Sequence, residues 1–181
     1  MSEAHLRLVP TPDTEEVDGG LCFEDLFRRF APYVGAIGLR LLGRSDEVED
    51  LVQDVFIAAY RSRRKLLGLG PAKGWLAVVA VRKAQRRLQR RRMRTRLGLD
   101  GGHDYSTVSA PGLDPEDQVQ LREIFAALDK ISSADRVAWC LRYLQGESLA
   151  AVAKLCDCSL ATAKRRIARA HNTLLAKGSD G

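Results

Sequence analysis

Apolar side chains recur every three or four residues through two long stretches of this chain, and this spacing constrains the fold more than any other feature of the sequence. Such spacing places side chains on one face of an α-helix. In residues 23–42 the spaced apolar positions are Phe23, Leu26, Phe27, Phe30, Val34, Ile37 and Leu41. Pro32 lies inside this run, so we expect a kink or a break just before it. The pattern predicts an all-α fold.

A second helix is predicted from Ser45, a residue that suits an N-cap, because acidic side chains fill the turn that follows. Its expected buried stripe is Val48, Leu51, Val52, Val55 and Ala59. A loop spans 62–74, and Gly70-Pro71 within it suits the start of a third helix that continues past Trp75.

Residues 97–115 are rich in Gly, Ser, Asp and Pro, which is typical of a linker. The next helix is predicted after an Asp114 cap, with a narrow apolar stripe made of Val119, Ile124, Phe125 and Leu128. Further helices are predicted after Ser132 or Ser133, after Ser148 and after Ser159.

We therefore expect two small helical domains joined by a flexible linker. The predicted boundaries are 1–22 for a disordered N-terminal segment, 23–96 for the first domain, 97–115 for the linker and 116–177 for the second domain.

Charge is strongly segregated along the chain. Residues 23–96 carry eighteen basic and seven acidic side chains, and residues 118–181 carry ten basic and six acidic ones, whereas residues 97–117 carry five acidic and no basic ones. Nine of the fifteen residues in 82–96 are Lys or Arg, and they would repel each other unless an anion were near. Two basic blocks favour a polyanion as partner, with nucleic acid the first candidate.

The second predicted helix reverses this sign. Residues 46–60 contain no Lys or Arg, and one face of the helix carries Glu49, Asp50, Gln53, Asp54 and Ile57. Most acidic helix faces are simply solvated. Inside a strongly basic domain, this one is also a candidate docking surface for a basic protein partner.

The last two predicted helices form a helix-turn-helix pattern. A short helix, LAAVAKL, is followed by the turn Cys156-Asp157-Cys158 and by a longer helix with a basic outer face. In such a motif the second helix enters the major groove of DNA. Arg can then pair bidentately with guanine, and Thr can touch the thymine methyl.

Other classes of site find little support. We see no paired carboxylates in a pocket-like context, no nucleophile motif and no glycine-rich phosphate loop, so we expect no enzyme and no cofactor. Cys156 and Cys158 could begin a metal site, but structural zinc needs four ligands, and we favour two small side chains packed in a turn. There is no export signal and no apolar run long enough to span a membrane, so we expect free thiols and a cytoplasmic protein.

Two stretches together resemble the sigma-70 family of bacterial RNA polymerase sigma factors. DEVEDLVQDVFIAAY (46–60) with GWLAVVAVRKAQRRLQRRR (74–92) resembles conserved region 2, and residues 128–170, which include the S-x-x-T-x-K-x-R-x-x-R-A pattern, resemble region 4. The order and spacing are similar to those of the compact extracytoplasmic-function group, which consists of these two domains and a linker.

The resemblance implies a role for each matching residue. Contacts with the clamp helices of the largest subunit of core RNA polymerase would come from Asp50, Gln53, Asp54 and Phe56. Capture of the single-stranded minus-10 element would use Arg63, Arg64, Lys65, Lys73, Trp75, Arg82, Lys83, Arg86 and Arg87. The minus-35 element would be read by Ser159, Thr162, Lys164, Arg165, Arg166 and Arg169. The resemblance also implies an anti-sigma factor as a partner.

The chain departs from the family pattern at a few positions. Arg82 and Arg86 stand where region 2 usually has Asn and Asp, which favours phosphate contact over base readout. Asp157 replaces the common turn glycine, and Ala161 replaces another glycine. The alternative function is that of an autonomous helix-turn-helix regulator that binds DNA without polymerase. A thiol-metal sensor is a third hypothesis.

Overall fold

The computed structural model describes residues 23–62, 69–99 and 114–178, and all regular structure in this part of the chain is helical. The first half contains α1 (Phe23–Leu42), α2 (Ser45–Arg61) and α3 (Leu69–Arg96). The second half contains α4 (Pro115–Leu128), α5 (Ser133–Tyr143), α6 (Leu149–Leu155) and α7 (Leu160–Gly178). The all-α prediction is confirmed. The proposed disordered segment 1–22 and most of the predicted linker lie outside the described residues.

The first half is a three-helix bundle around an aliphatic core. Leu41 of α1, Leu51 of α2 and Leu76 of α3 are at most 1% exposed and belong to one buried cluster. The predicted break before Pro32 is absent, since α1 runs unbroken from Phe23 to Leu42. Pro32 and Arg28, whose carbonyl loses its helical donor there, are both exposed, so water can solvate that carbonyl.

Gly43 ends α1, with a φ of 71° and an N–H that donates to the Leu39 carbonyl at 2.8 Å. The predicted Ser45 cap is wrong, because Ser45 is already helical and Arg44 is the N-cap without a side-chain cap bond. The first turn is stabilised instead by charge. The Arg44 guanidinium lies 2.7 Å from Asp46 and holds the pKa of that carboxyl below its usual value.

In the second half, side-chain caps fix the helix starts. The predicted caps are confirmed at Asp114, Ser132, Ser148 and Ser159, whose side chains accept backbone N–H bonds of 2.9, 3.1, 3.1 and 3.2 Å. The predicted stripe of α4 is correct at Phe125 and Leu128, which are buried, but wrong at Val119, which is 50% exposed. Helices α5, α6 and α7 pack around Val137, Val152 and Ala163.

The two halves are packed against each other. A single buried cluster includes Leu88 of α3 together with Phe125, Leu128 and Leu141 of the second half. Helix α3, 28 residues long, runs past the first bundle and also contacts α5 and α6. The contact places the Arg82 guanidinium of α3 3.0 Å from the carboxylate of Asp157, which lies between α6 and α7.

Candidate nucleic-acid and protein interfaces

The acidic face of α2 lies on the surface, where a partner could reach it. The Asp50 side chain is 71% exposed and that of Asp54 is 45% exposed, and Gln53 between them is also exposed. We call these three residues the docking face. Leu51 and Val55, on the opposite side of α2, are fully buried, so the orientation of the docking face is fixed by the core.

Phe56, the fourth residue expected at this surface, lies beneath it. Its side chain is only 3% exposed and its ring makes edge contacts with Phe23 and Phe27 at centroid distances of 6.3 and 4.7 Å. Phe56 therefore holds α1 against α2 and does not present its side chain to solvent.

An apolar patch that the sequence analysis did not single out adjoins the docking face. Phe27 and Ile57 are each 44% exposed, and Tyr60 is 48% exposed. Ile57 follows Gln53 and Asp54 by one helical turn, so the patch continues the same face of α2. The sequence indicated this patch only through Ile57, an apolar residue on a face of α2 that otherwise carries polar side chains.

A basic ridge runs along α3. Arg82, Arg86 and Arg90 follow one another at intervals of four residues, and all three are exposed. Lys83 is half-buried beside them. The spacing places the three guanidinium groups along one face of the helix, about 6 Å apart per turn, which suits successive phosphates of a nucleic-acid strand. Arg90 extends the ridge beyond the residues that the resemblance implied.

At the start of α3, Trp75 is half-buried against the core of the first half, and Lys73 is exposed with its ammonium 5.0 Å from the centre of the Tyr33 ring. Arg63, Arg64 and Lys65 lie outside the described residues. The structure thus places Lys73, Trp75, Arg82, Lys83 and Arg86 along a single helix.

Arg87 does not belong to the ridge. Its side chain is only 21% exposed, and its guanidinium lies 2.6 Å from the Asp54 carboxylate and 4.0 Å from that of Asp50. An ion pair of this kind, partly shielded from water, orients both partners. Arg87 thereby links α3 to the docking face, whereas the resemblance had grouped it with the nucleic-acid contacts.

The helix-turn-helix is formed by α6 and α7. Asp157 between them has a φ of 51°, a left-handed conformation that Asp adopts more readily than most residues. The N–H of Cys158 donates to the Ala153 carbonyl at 3.0 Å and closes the turn. The Ser159 hydroxyl accepts from the Thr162 N–H and lies 2.9 Å from the Thr162 hydroxyl.

The outer face of α7 carries the residues expected to read DNA. Lys164 and Arg165 are exposed, and Arg166 is half-buried. The Arg165 guanidinium donates to the Thr162 hydroxyl at 3.3 Å, which groups both side chains with Ser159 at the beginning of the helix. In a major groove this is the part of a recognition helix that approaches base edges.

Arg169, also expected to contact DNA, is tied to the protein. Its guanidinium donates twice to the Asp135 carboxylate, at 2.9 and 2.6 Å, and these contacts raise the pKa of Arg169. The Asp135 side chain is 6% exposed, so the pair joins α7 to α5. The Arg169 side chain itself remains 66% exposed.

The cysteines pack as small side chains. Cys156 and Cys158 lie partly buried against the core, and burial raises the pKa of Cys156 to about 11. In residues 23–62, 69–99 and 114–178, His, Cys, Asp and Glu side chains nowhere form a group able to hold a metal ion. A search of the same residues finds no helix long and apolar enough to cross a membrane.

Comparison with known proteins agrees with this geometry. The family model for Sigma-70 region 2 matches residues 26–94, and the model for Sigma-70, region 4 matches residues 121–174. These ranges contain the docking face and the basic ridge in the first case, and the helix-turn-helix in the second.

Two similar proteins are named as ECF RNA polymerase sigma factors. The ECF RNA polymerase sigma factor EcfG of Rhodopseudomonas palustris is 30% identical over 145 residues, which cover 80% of this chain and 78% of that protein. The ECF RNA polymerase sigma-E factor of Haemophilus influenzae is 30% identical over 161 residues, covering 84% and 85%.

A solved structure is also similar. It contains the sigma factor RpoE from Bartonella quintana, in complex with the anti-sigma factor NepR. The two chains superpose with a TM-score of 0.60 at 28% identity, and the match covers 84% of this chain and 93% of the other. With both regions matched and relatives covered over most of their length, the chain belongs to the extracytoplasmic-function sigma factors of the sigma-70 family.

Proposed function

We propose that this sigma factor divides its work among three surfaces. The docking face of α2 binds the clamp helices of the largest subunit of core RNA polymerase. The basic ridge of α3 holds the non-template strand of the minus-10 element once the duplex opens. The outer face of α7 reads the minus-35 element.

The observation that carries this proposal is the pairing of opposite signs within one small bundle. The exposed carboxylates of Asp50 and Asp54 and the exposed guanidinium groups of Arg82 and Arg86 belong to neighbouring helices. A surface that only bound DNA would be weakened by the acidic face, because phosphates repel carboxylates. Binding protein on one face and nucleic acid on the other accounts for both.

The docking face combines charge with apolar contact. Carboxylates steer a basic partner and select its orientation, whereas the adjacent Phe27, Ile57 and Tyr60 can be removed from water in the complex. Aromatic side chains such as Tyr60 are common among residues that dominate binding energy. We therefore assign the apolar patch to the same interface as the docking face.

Arg82 and Arg86 favour phosphate contact on α3. Sequence preference in the minus-10 element would then come from stacking of unpaired bases and from residues around Trp75, which is only partly buried. On α7, Arg165 can pair bidentately with guanine and Thr162 can contact a thymine methyl, which gives base discrimination.

The proposed role requires no catalytic group on this chain. Phosphodiester chemistry belongs to the polymerase, and the sigma factor supplies promoter selection and assists melting. We place the protein in the cytoplasm, where core polymerase and promoter DNA are found. We also propose an anti-sigma factor as a regulator, supported by the likeness to a sigma factor solved in complex with one.

The test is a pull-down of bacterial core RNA polymerase with the purified chain, followed by run-off transcription on a library of genomic promoters. Binding to core with promoter-selective transcripts is the expected result. Tight, specific footprints made by the chain alone, with no effect of core, would instead identify an autonomous regulator.

A further inference from the structure

A cavity of about 210 Å³ lies where the C-terminal part of α3 faces the end of α4 and the start of α5. One water molecule needs only roughly 10–15 Å³ of such space, so the cavity has room for a ligand of several atoms. Four arginines line it, three from α3 and one from α5: Arg91, Arg92, Arg96 and Arg136. We call this cavity the arginine pocket. Guanidinium groups around a cavity favour an anion as its ligand.

Two of these arginines are already neutralised by the fold. The Arg136 side chain is 2% exposed, and its guanidinium donates to the Asp129 carboxylate and, at 3.0 and 2.9 Å, to two backbone carbonyls at the end of α1. The Arg91 side chain is 7% exposed, and its guanidinium lies 2.6 Å from the Glu47 carboxylate and 3.8 Å from that of Asp129. Asp129 and Glu47 thus offset the charges of Arg136 and Arg91, and these two arginines form a fixed wall of the pocket.

The other two arginines bring charge that the fold does not neutralise. Arg92 is half-buried, and its guanidinium donates to the Ile131 carbonyl, a neutral acceptor, at 2.6 Å. Arg96 follows one helical turn later on the same face of α3 and is exposed. Within residues 23–62, 69–99 and 114–178, no carboxylate lies at ion-pair distance from either guanidinium. A ligand that matches the pocket therefore carries about two negative charges.

The rest of the lining strengthens the attraction for an anion. Ser133, which is 8% exposed, lines the pocket in the first turn of α5, where the helix dipole favours negative charge. The apolar side chains of Leu88, Leu128 and Ile131 form the remaining floor, and each is at most 8% exposed. Charge-assisted hydrogen bonds are stronger beside such an apolar floor than in open water.

The arginine pocket differs in depth from the basic ridge of the same helix. Arg82, Arg86 and Arg90 of the ridge are all exposed, whereas Arg91 and Arg136 in the pocket wall are at most 7% exposed. The backbone of a nucleic-acid strand can lie along an exposed ridge, but it cannot enter a recess between packed helices. A small anion can enter such a recess.

We propose that the arginine pocket binds a small phosphate-bearing anion, and that a diphosphate group fits it best. A diphosphate group carries at least two negative charges and several oxygen acceptors, which matches the charge of Arg92 and Arg96 and the size of the cavity. Inorganic diphosphate and a nucleoside diphosphate share this chemistry. The inference goes beyond the proposed function and does not depend on it.

The test is calorimetric titration of the full chain with inorganic diphosphate, and separately with adenosine diphosphate, at constant ionic strength. We expect saturable binding of one ligand per chain and a thermal midpoint that rises with ligand concentration, because the ligand binds the folded state. Sodium sulfate at the same ionic strength should bind more weakly, because a single sulfate group offers fewer oxygen acceptors.

Arg96→Gln is the main variant, because its side chain is exposed and forms no ion pair within the described residues, so folding is preserved. We expect it to raise the dissociation constant for diphosphate about tenfold or more, since a charge-assisted contact is lost. Arg92→Gln should have a similar effect. Arg94→Gln is the matched control, because it makes the same charge change at an exposed position of α3 that does not line the pocket, and it should change the dissociation constant no more than about twofold.

Several outcomes would overturn the proposal. One is the absence of both heat and midpoint shift at millimolar diphosphate. Another is an equal loss in Arg96→Gln and Arg94→Gln, which would mean that the ligand responds only to the total charge of α3. A third is a single-stranded oligonucleotide that loses as much affinity in Arg96→Gln as diphosphate does, which would assign these arginines to nucleic acid. Tighter binding of adenosine diphosphate than of inorganic diphosphate would support the pocket and add a contact with the nucleoside, whereas equal affinities would support recognition of the phosphates alone.

Discussion

At the scale of single residues, two arginines of α7 differ in what they touch. Arg165 is exposed, and its guanidinium donates to the Thr162 hydroxyl. The Arg169 guanidinium donates to the buried Asp135 carboxylate. We expect Arg165→Ala to reduce discrimination at one base pair of the minus-35 element by about 1–3 kcal/mol, because a bidentate base contact is lost. Binding measured against a panel of single-base variants would show this.

Arg169→Ala serves as the matched comparison. It removes the partner of a buried carboxylate, so we expect a lower thermal midpoint and weaker binding to all sequences alike. Arg165→Ala should leave the midpoint unchanged. If both variants lowered binding uniformly and left stability intact, both residues would be phosphate contacts and the assigned roles would be wrong.

Cys156 provides a residue-scale prediction about pH. Burial raises the pKa of its thiol from 9.0 to about 11, so at pH 8 the thiolate is scarce and we expect slow alkylation, accelerating with pH up to about 11. The folded state keeps the proton longer than the unfolded state. The resulting stabilisation is complete below pH 9 and is lost as pH rises towards 11.

Two measurements check this prediction. Mass spectrometry after timed alkylation should find Cys156 modified far more slowly at pH 8 than a thiol in a peptide of the same sequence. The fall in thermal midpoint above pH 9 should be smaller in Cys156→Ser. Fast modification at pH 8 would contradict the burial of this thiol.

At the scale of elements, the turn between α6 and α7 depends on one backbone conformation. Asp157 has a φ of 51°, a conformation that costs most residues with a side chain about 1–2 kcal/mol but that Asp and Asn adopt more readily. We expect Asp157→Gly to be neutral or stabilising and Asp157→Val to lower the free energy of unfolding by about that amount, because a β-branched side chain fits this region poorly. Chemical denaturation would measure both.

Asp157→Asn separates backbone strain from charge. Asn tolerates the left-handed conformation but cannot form the ion pair with Arg82. It should therefore behave like the original residue in denaturation. An equal loss of stability in Asp157→Asn and Asp157→Val would mean that the charge, and not the conformation, is what the turn requires.

Helix starts and stops were predictable where the signal is local. Asp114, Ser148 and Ser159 cap helices because a short polar side chain can reach an N–H two or three residues ahead, and such reach is visible in sequence. The prediction of a Ser45 cap was wrong because Arg44 is the N-cap, and its ion pair with Asp46 stabilises the first turn by charge.

Partners distant in the chain were not predictable. The resemblance implied a DNA contact for Arg87, and nothing in the sequence indicated that its guanidinium lies 2.6 Å from Asp54, 33 residues away. Arg169 and Asp135 are a second example. A single sequence reports which residues are charged and on which helical face, but the pairing of faces from different helices requires the tertiary structure.

At the scale of the whole molecule, the sequence indicated two domains and a linker but not how the domains pack. The contact between the two halves depends on Gly43, which lies against the Phe125 ring, and on the buried Arg136, which donates to the Leu41 carbonyl. Glycine signals only a helix end, and arginine is a residue type that is usually exposed. Neither residue contributes to an apolar pattern. A buried polar contact between domains is therefore invisible to periodicity, although it determines which surfaces are available together.

The docking face leads to a prediction about assembly with polymerase. The Asp54 carboxylate lies 2.6 Å from the Arg87 guanidinium. Replacing Asp54 by a basic residue would therefore set two positive charges side by side, and a loss of stability could not be separated from a loss of docking. Asp50 is the better position to change because its side chain is 71% exposed and its carboxylate is farther from that guanidinium, at 4.0 Å. We expect Asp50→Arg to weaken core binding at least tenfold, about 1.4 kcal/mol or more, since like charges would then face each other.

Glu123→Arg is the matched control, because it makes the same change of charge at an exposed position of α4, outside the docking face. It should leave core affinity near that of the original chain. Fluorescence anisotropy of the labelled chain, titrated with core at two salt concentrations, measures both, and the effect of Asp50→Arg should shrink as salt screens the repulsion. Equal losses in the two variants would show that polymerase responds to the total charge of the chain, and the docking face would have to be assigned to another surface.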